Sequence, residues 1–349
     1  MNLLNYAKRI FSALFLVALT GANANAAVYF VAHPDDLELL MGGNAITDII
    51  GNYPTVIVVV TAGDAHNLNR ACAPLTISWT CPDKVTDLDE YNVKKNPYYR
   101  VRLDAHEAAI KQWVPSSYQK QIVRSVESFG SGASAVNVEK ASIGNVVMYY
   151  LNLPDTQLEK FHHDGNPLFD VESKNLYTPS SLRETMREII SRNNSGTPFF
   201  GVNFPEYDPD YFEAGYNEEN FTITDVTDPR VGQVIKPAKY FIDHGDHTAV
   251  GKFMKDAIQE DSRFWCVGQV IYMGYANAAY PKSLTHNIEV LQTTGYDALN
   301  QVLVDEGNWT HNSDSNSSLA GAMDGFHKSY LGKQKFRLYG IPGAGACTF

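Results

Sequence analysis

The chain of 349 residues carries 28 basic and 39 acidic side chains, and 44% of its residues are hydrophobic. This length leaves room for one large α/β domain with insertions, or for one domain with a small appendage. The net charge of −11 argues against a nucleic acid or an anionic membrane as the partner, because both require clustered lysine and arginine.

The first 26 residues are typical of a secretory signal peptide. Lys8 and Arg9 precede an apolar run over residues 10–19, and residues 24–26 (Ala-Asn-Ala) form a small-x-small cleavage site. The apolar run is too short to span a bilayer, which takes about 20 such residues. Removal of this segment leaves 323 residues with a net charge of −13. We therefore expect a secreted or periplasmic protein with no stable membrane anchor.

The four cysteines predict disulfide bonds, since an even number in an exported protein is typical of them. The most local pairing joins Cys72 to Cys81 and Cys266 to Cys347. Four cysteines permit three connectivities, and free thiols are the alternative. A cysteine-based zinc site is less favoured because the chain has no Cys-x-x-Cys pair.

Strands and helices are predicted to alternate after the signal. Val28–Val31 reads as a buried strand, residues 38–50 as a helix, and the β-branched run Thr55–Thr61 as a second buried strand. A strand, a helix and a strand in this order form a βαβ unit, which implies a parallel sheet with right-handed crossovers. The predicted fold class is therefore α/β.

The remaining elements follow in the same manner. Helices are expected over 98–114, Ser181–Arg192, 246–259 and 296–305, a hairpin over 121–128 and 134–140, and strands at Val146–Leu153, Phe199–Phe204 and Cys266–Tyr272. Ser180 or Ser181, with Glu184, is the expected cap of the second of these helices. Residues 64–97 are expected to be irregular. The acidic and aromatic segment 205–235 is predicted to be a long loop, and such loops are usually functional.

Two polar clusters carry the chemistry. His33, Asp35 and Asp36 follow the first strand, where Pro34 starts a sharp turn that lets an imidazole and a carboxylate converge. Open α/β sheets place their sites at this end of a strand. The second cluster, residues 244–247 (His-Gly-Asp-His), lies far along the chain. We expect the two clusters to meet in one metal-hydrolase centre.

His33, Asp36 and His247 form a set of two histidines and one carboxylate that zinc accepts, with a fourth position left for water. Such a water becomes a hydroxide-like nucleophile near neutral pH. Asp35, beside Asp36, is the expected general base. His244 is placed to stabilise an oxyanion or to protonate a leaving amine. Ferrous iron or cobalt would fit the same ligands.

The residues 32–38 (Ala-His-Pro-Asp-Asp-Leu-Glu) with Gly42-Gly43, and the later cluster at 244–247, resemble the two hallmarks of the PIG-L/LmbE-like family of zinc-dependent de-N-acetylases. Gly245 stands where the family usually has proline. The similarity spans about residues 27–275. It implies a Rossmann-like three-layer fold with a mostly parallel sheet, loop insertions and a C-terminal extension. It also implies zinc and N-acetylglucosamine-type substrates.

The resemblance implies the same roles for the ligands His33, Asp36 and His247, the base Asp35 and the assisting His244. Two further residues are expected to support the centre from outside, Asp246 by holding the His244 ring and Glu38 by buttressing the first helix. Three others are tentative substrate contacts: Arg100, Asp155 and Asp64. Arg100 could equally form a surface salt bridge, and Asp155 could equally belong to an ordinary turn.

These observations predict a signal peptide over 1–26, a deacetylase domain over 27–275, and a C-terminal extension over 276–349 packed on the same domain. The expected activity is zinc-dependent removal of acetyl from an N-acetylated amino sugar or glycoconjugate. The alternatives are a zinc amidase or esterase acting on another acylated small molecule, and a carbohydrate-binding protein without activity. A nucleotide-dependent oxidoreductase is excluded because no Gly-x-Gly-x-x-Gly follows the first strand.

Overall fold

The computed structural model describes residues 26–63, 98–132, 135–194, 201–208, 226–228, 233–235, 243–275, 277, 280–307 and 330–339. Several predictions lie outside these residues and stay predictions. They are the signal peptide up to residue 25, the irregular excursion at 64–97 with Asp64, Cys72 and Cys81, and the last cysteine, Cys347. Both predicted disulfides therefore remain untested.

Long apolar runs form the centre of the sheet. β1 (Ala27–Val31) and β2 (Thr55–Thr61) are buried along their whole length and pair in parallel. β5 (Val146–Leu153) continues the sheet in parallel beyond β2. On the other side, β8 (Val202–Pro205) pairs in parallel with β1, and β11 (Gln269–Tyr272) with β8. Strands buried on both faces are typical of a parallel sheet covered by helices on both sides.

Antiparallel strands complete both edges of this sheet. β3 (Val123–Phe129) and β4 (Val136–Ile143) form the predicted hairpin, and β4 pairs with β5. β12 (Phe336–Tyr339) pairs with β11 at the opposite edge. The eight strands follow the order β12-β11-β8-β1-β2-β5-β4-β3. The α/β prediction with a mostly parallel sheet is confirmed.

Short strand pairs lie outside the main sheet. β6 (Leu168–Phe169) pairs with β7 (Leu176–Tyr177). β9 (Val226–Asp228) pairs with β10 (Gln233–Ile235) inside the segment predicted to be a long loop.

The helices of the described chain form the two outer layers. They are α1 (Gly42–Ile50), α2 (Tyr98–Trp113), α3 (Leu158–Asp164), α4 (Pro179–Asn193), α5 (Gly245–Gln259) and α6 (His286–Gly307). The buried side chains of α1, α2 and α6 share one apolar core with one face of the sheet. Those of α3, α4 and α5 share a second core with the other face. None of these described helices is both long enough and apolar enough to cross a membrane.

Residues beyond 275 contribute to the same layers. α6 packs along α2, where the indole Nε1 of Trp113 donates to the carbonyl of Leu291 at 2.8 Å. Gly295 permits this approach, because a Cβ there would lie 2.6 Å from the Trp113 ring. The Gln292 amide also donates to the carbonyl of Glu38 at 2.7 Å. The division of the chain at residue 275 stays a prediction.

Two helices differ from their predicted starts. α4 begins at Pro179, and its cap is Thr178, whose hydroxyl accepts from the Ser181 amide at 3.0 Å. The predicted cap was therefore placed too late, and Glu184 pairs with Arg187 instead. α6 begins ten residues before the predicted position 296. Its first half contains residues of low helix propensity, including Thr293, and tertiary packing on α2 outweighs that preference.

Candidate metal and catalytic site

A tight turn after β1 brings the side chains of the first polar cluster together. The His33 amide donates to Asp36 Oδ2 at 2.7 Å, and the Asp36 amide donates back to the His33 carbonyl at 3.3 Å. The chain then continues into a buried π-helical turn over Leu37–Met41. Such turns are rare and are frequent at functional sites. This local geometry explains why the imidazole of His33 and the carboxylate of Asp36 face the same point.

The second cluster lies at the beginning of α5. His244 is the N-cap, and its ring Nδ1 accepts from the backbone amide of Asp246 at 3.3 Å. His247 falls in the first turn of the helix and is completely buried. Both histidines therefore sit at a helix start, and α5 packs against β1 and β8 at the sheet.

The two clusters meet around one point, as predicted. His33 Nδ1 lies 3.2 Å from His247 Nε2 and 3.2 Å from Asp36 Oδ2. His247 Nε2 lies 3.0 Å from Asp36 Oδ1. Four zinc ligands at ordinary bond lengths stand about 3.3 Å from one another. The spacing of these three side chains therefore fits a shared divalent cation, and their donor types are those that zinc accepts.

Each of the two imidazoles turns its other nitrogen to a carboxylate. His33 Nε2 lies 3.2 Å from Asp155 Oδ1, and His247 Nδ1 lies 2.7 Å from Asp243 Oδ1. Metal-binding histidines almost always have such a partner, which fixes the ring and raises its basicity. Asp155 was predicted as a substrate contact, and the structure places it on His33. The sequence analysis did not predict Asp243. Its position one helical turn before His247 was the signal that could have indicated it.

Asp243 occupies a tightly built position. Its carboxylate also accepts from the backbone amides of His244 at 2.9 Å and Tyr275 at 3.2 Å. A Cβ on Gly274 would lie 2.0 Å from an oxygen of the same carboxylate. The glycine at that position therefore makes room for the partner of His247.

Asp246 supports the centre in a different way from the predicted one. Its two carboxylate oxygens accept from the backbone amides of Thr156 at 2.6 Å and Leu158 at 3.0 Å. The side chain thus fixes the loop that carries Asp155, and its Oδ2 lies 3.7 Å from His33 Nε2. The backbone amide of Asp246 donates to the His244 ring. Ligand atoms of His33, Asp155, His244 and Asp246 also lie within 4.8 Å of one another. Because backbone donors already engage both Asp246 oxygens, this second group is the poorer cation site.

Arg102 is a basic residue that reaches the first cluster. Its Nη2 lies 2.7 Å from Asp35 Oδ1. Gly63, at the end of β2, has a φ of +63° and a Cβ there would lie 2.7 Å from Pro34 and 3.0 Å from Arg102 Nε. The predicted Arg100 instead binds Glu139 at 2.6 Å, which was the alternative weighed for it. Its assignment as a substrate contact stays a prediction.

Glu38 forms a second buried pair next to the centre. Its Oε1 lies 2.8 Å from Nδ1 of His106, one helical turn after Arg102, and both side chains are wholly buried. Within the described residues, Glu38 Oε2 and His106 Nε2 have no hydrogen-bond partner. Burial raises the pKa of Glu38. The pair ties the π-helical turn to α2, and the predicted role of Glu38 in supporting the metal centre stays a prediction.

The electrostatics of the centre favour a cation. Burial opposes a positive charge on His247, but the carboxylates of Asp36 and Asp243 outweigh it and raise the pKa of His247 to about 10. Burial likewise opposes charge on His33, and Asp155 and Asp36 raise its pKa well above the usual range. The carboxylates thus favour positive charge at this position. A divalent cation would supply that charge in place of the protons on His33 and His247.

The pKa of His244 is shifted in the opposite direction from those of His33 and His247. Burial lowers its pKa to about 4, and the neighbouring His33 and His247 add to this shift. Its ring centroid lies 4.7 Å from that of His33 and 5.6 Å from that of His247. Burial and the two neighbouring imidazoles thus both disfavour the protonated form of His244.

No family model and no curated protein match the chain. Among solved structures, it is similar to N,N'-diacetylchitobiose deacetylase from Pyrococcus horikoshii, with a TM-score of 0.41 and 12% identity over 96% of this chain and 93% of that one. Teicoplanin deacetylase Orf2 in a zinc inhibited form gives 0.38 and 12%, over 86% and 89%. GalB, a 4-carboxy-2-hydroxymuconate hydratase from Pseudomonas putida KT2440, gives 0.37 and 9%, over 88% and 82%. At these low scores the likeness adds nothing to what the chain's own residues indicate.

Proposed function

We propose that this protein is an exported, metal-dependent hydrolase that removes the acetyl group from an N-acetylglucosamine-type sugar or a glycoconjugate that contains one. The observation that carries the proposal is a buried set of two histidines and one aspartate whose spacing fits one cation, with Asp35 directly before the ligand Asp36 in the chain. The sequence resemblance to the PIG-L/LmbE-like deacetylases supplies the substrate class.

The residues that would hold the metal are His33, Asp36 and His247, with Asp155 and Asp243 fixing the two rings. A bound divalent cation polarises the amide carbonyl and makes water easier to deprotonate. Zinc is the metal proposed, and the same donors would accept ferrous iron or cobalt.

Asp35 acts as the general base. It follows His33 by two residues and precedes Asp36, so the turn after β1 sets its position relative to the ligands. The contact of Oδ1 with Arg102 Nη2 at 2.7 Å holds the carboxylate in one orientation. Asp35 takes a proton from water as the water oxygen bonds to the carbonyl carbon.

His244 stabilises the oxyanion that forms and assists the leaving group. Its Nδ1 accepts a backbone hydrogen bond, so the neutral ring carries its proton on Nε2. Nε2 can therefore donate to the oxyanion. When the carbon–nitrogen bond breaks, the amine takes the proton that Asp35 removed from the water, so that the carboxylate of Asp35 is restored and acetic acid and the free amino sugar are released.

One experiment distinguishes the deacetylase from the amidase or esterase alternative. Acetate release is measured from N-acetylglucosamine, its oligosaccharides and an N-acetylated glycolipid, alongside other acyl amides and esters, with and without a chelator. The proposal requires chelator-sensitive acetate release from the amino sugars. Release only from the other amides or esters would favour the amidase or esterase alternative.

A carbohydrate-binding protein without activity is excluded by a second variant. In Asp35→Asn, acetate release should be lost while the bound metal is retained, because Asp35 is not among the ligands. Sugar binding by the unaltered protein with no acetate release would instead support the binding module. Residual secretion of a tagged protein after deletion of residues 1–26 would contradict the export part of the proposal.

A further inference from the structure

The π-helical turn Leu37–Met41 begins directly after the ligand Asp36, which is its N-cap. All residues of the turn are buried, so its backbone groups cannot take bulk water as a partner. Such turns are rare and occur mostly as single turns within helices. The contacts that hold this turn from outside therefore bear on the position of Asp36.

One of these contacts comes from Gln292 of α6. Its side chain is completely buried, and its Nε2 donates to the carbonyl of Glu38 at 2.7 Å. At the other end of the same amide group, Oε1 accepts from the backbone amide of Gly332 at 2.7 Å. Each end of this side-chain amide thus binds a backbone group. Gln292 joins the π-helical turn to a segment far along the chain.

Gln334 holds the adjoining part of the chain, the start of α1. Its buried side chain accepts through Oε1 from the backbone amide of Asn44 at 3.1 Å. The first amides of a helix have no partner within the helix, so this oxygen satisfies one of them. The hydroxyl of Ser283 accepts from the backbone amide of Gln334 at 2.9 Å, which fixes the glutamine in turn.

A pair of glycines leaves room for both glutamines. A Cβ on Gly42 would lie 3.1 Å from Nε2 of Gln292, and a Cβ on Gly43 would overlap Oε1 of Gln334. Gly42 has a φ of −55°, which any residue adopts, so the backbone conformation does not require a glycine there. Space for the Gln292 amide is therefore the reason that the structure offers for Gly42.

Movement of the turn would change the metal centre. Asp36 Oδ1 lies 3.0 Å from His247 Nε2, and Asp36 Oδ2 lies 3.2 Å from His33 Nδ1. Asp35 is tied to the same turn, because its carbonyl accepts from the Leu39 amide at 3.1 Å. Relaxation to the i→i+4 hydrogen bonds of an α-helix would take one residue out of the turn. Both carboxylates would then shift relative to the two histidines.

We propose that Gln292 is a positioning residue of the metal centre, which acts through the π-helical turn on Asp36 and Asp35. Gln334 supports this role by fixing the helix start that follows the turn. The proposal rests on the proposed function for the reaction that the centre performs. Residues beyond 275 thereby contribute to the activity, although none of these glutamines contacts the cation site itself.

Two variants and one control test the proposal. Gln292→Met keeps the length of the side chain and removes both polar ends. Gly42→Ala keeps the amide and takes away its space, and because alanine favours a helix over glycine, it does not weaken α1. Leu299→Ala is the control: Leu299 is buried on the same helix, about 10 Å further along, and its truncation destabilises the core.

The measurements are zinc affinity by competition with a chelator, the visible spectrum of the cobalt-loaded protein, and kcat and KM for acetate release at saturating zinc. In Gln292→Met and Gly42→Ala, zinc affinity and kcat should each fall about 10- to 100-fold, the usual effect of losing a residue that orients a ligand. The cobalt spectrum should shift, and KM should stay close to that of the unaltered protein.

Leu299→Ala should lower the unfolding temperature and leave zinc affinity, cobalt spectrum and kcat unchanged. The double variant of Gly42→Ala with Gln292→Met should lose no more kcat than Gln292→Met alone, because both substitutions break the same contact. If Gln292→Met does not fold, Gly42→Ala decides.

The proposal is overturned if the folded variants keep the zinc affinity and kcat of the unaltered protein. It is also overturned if Leu299→Ala reduces them as much, since the losses would then follow stability alone. If the unaltered protein binds zinc but releases no acetate, the proposed function fails, and zinc affinity and the cobalt spectrum still decide the role of Gln292. An unaltered protein that binds neither zinc nor cobalt would refute both proposals.

Discussion

Two buried histidine–carboxylate groups lie side by side in this protein. They differ in how many of their nitrogen and oxygen atoms have a polar partner. In the first group, each ring of His33 and His247 has one nitrogen on the common point with Asp36 and the other on an outer carboxylate. In the second, His106 and Glu38 make one contact, and one atom of each is left without a partner among the described residues.

The difference teaches that burial and pairing alone do not make a cation site. Glu38 and His106 are as deeply buried as the other group. Burial raises the pKa of Glu38, whereas burial opposes charge on His106 and the carboxylate of Glu38 outweighs it and raises the pKa of the ring. Only the first group brings three donor atoms of different side chains within about 3 Å of one another, as shared coordination requires. The predictions below test this distinction.

The largest effect is expected from His247→Ala. The variant removes one of three protein ligands, so metal content should fall to background and activity by at least about 1,000-fold. Metal analysis after gel filtration and acetate release measure the two effects. Retention of a full equivalent of metal would show that the cation lies elsewhere, for example in the group with Asp155, His244 and Asp246.

Asp35→Asn is expected to have the next largest effect, and on activity alone. Loss of a general base typically costs about 100- to 10,000-fold in rate, while the ligand set is untouched. kcat should therefore fall and metal content should stay at the level of the unaltered protein. Loss of the metal together with activity would instead make Asp35 a ligand.

The His106–Glu38 pair is expected to act on stability. His106→Ala leaves a buried carboxylate without its partner, which typically costs about 3–5 kcal/mol of unfolding free energy. Urea denaturation measures this loss. Metal content should be retained under native conditions, in contrast to His247→Ala. The double variant His106→Ala with Glu38→Gln should recover part of the stability, because it removes the unpaired charge.

The smallest effect is expected from Asp243→Asn. The substitution keeps the shape but weakens the fixed orientation and basicity of His247, so metal affinity should drop about 10- to 100-fold. Competition with a fluorescent zinc chelator measures the affinity. Asp164→Asn, a partly exposed aspartate at the end of α3, is the control and should leave the affinity unchanged. An affinity for Asp243→Asn equal to that of the unaltered protein would remove Asp243 from the centre.

Much of the fold followed from patterns that lie within single segments. The β-branched run Thr55–Thr61 and the apolar run Val146–Leu153 were predicted with the bounds that the structure has. α6 was predicted too short because its first half is held by contacts with Trp113 and Glu38, far away in sequence. Local propensity contains no information about such contacts, so the missing half could not be predicted.

The sequence by itself determined the donor types and the strand end at which they stand. His33, Asp35 and Asp36 share one turn, and the spacing of His244 and His247 is fixed within one helix start. Tertiary structure alone decided which nitrogen of each ring faces the common point, that Arg102 reaches Asp35, and that Asp243 and Asp155 hold the rings. The reason is physical: these contacts join atoms of segments separated by dozens to hundreds of residues, and only the packing of α2 and α5 on the sheet sets their distances.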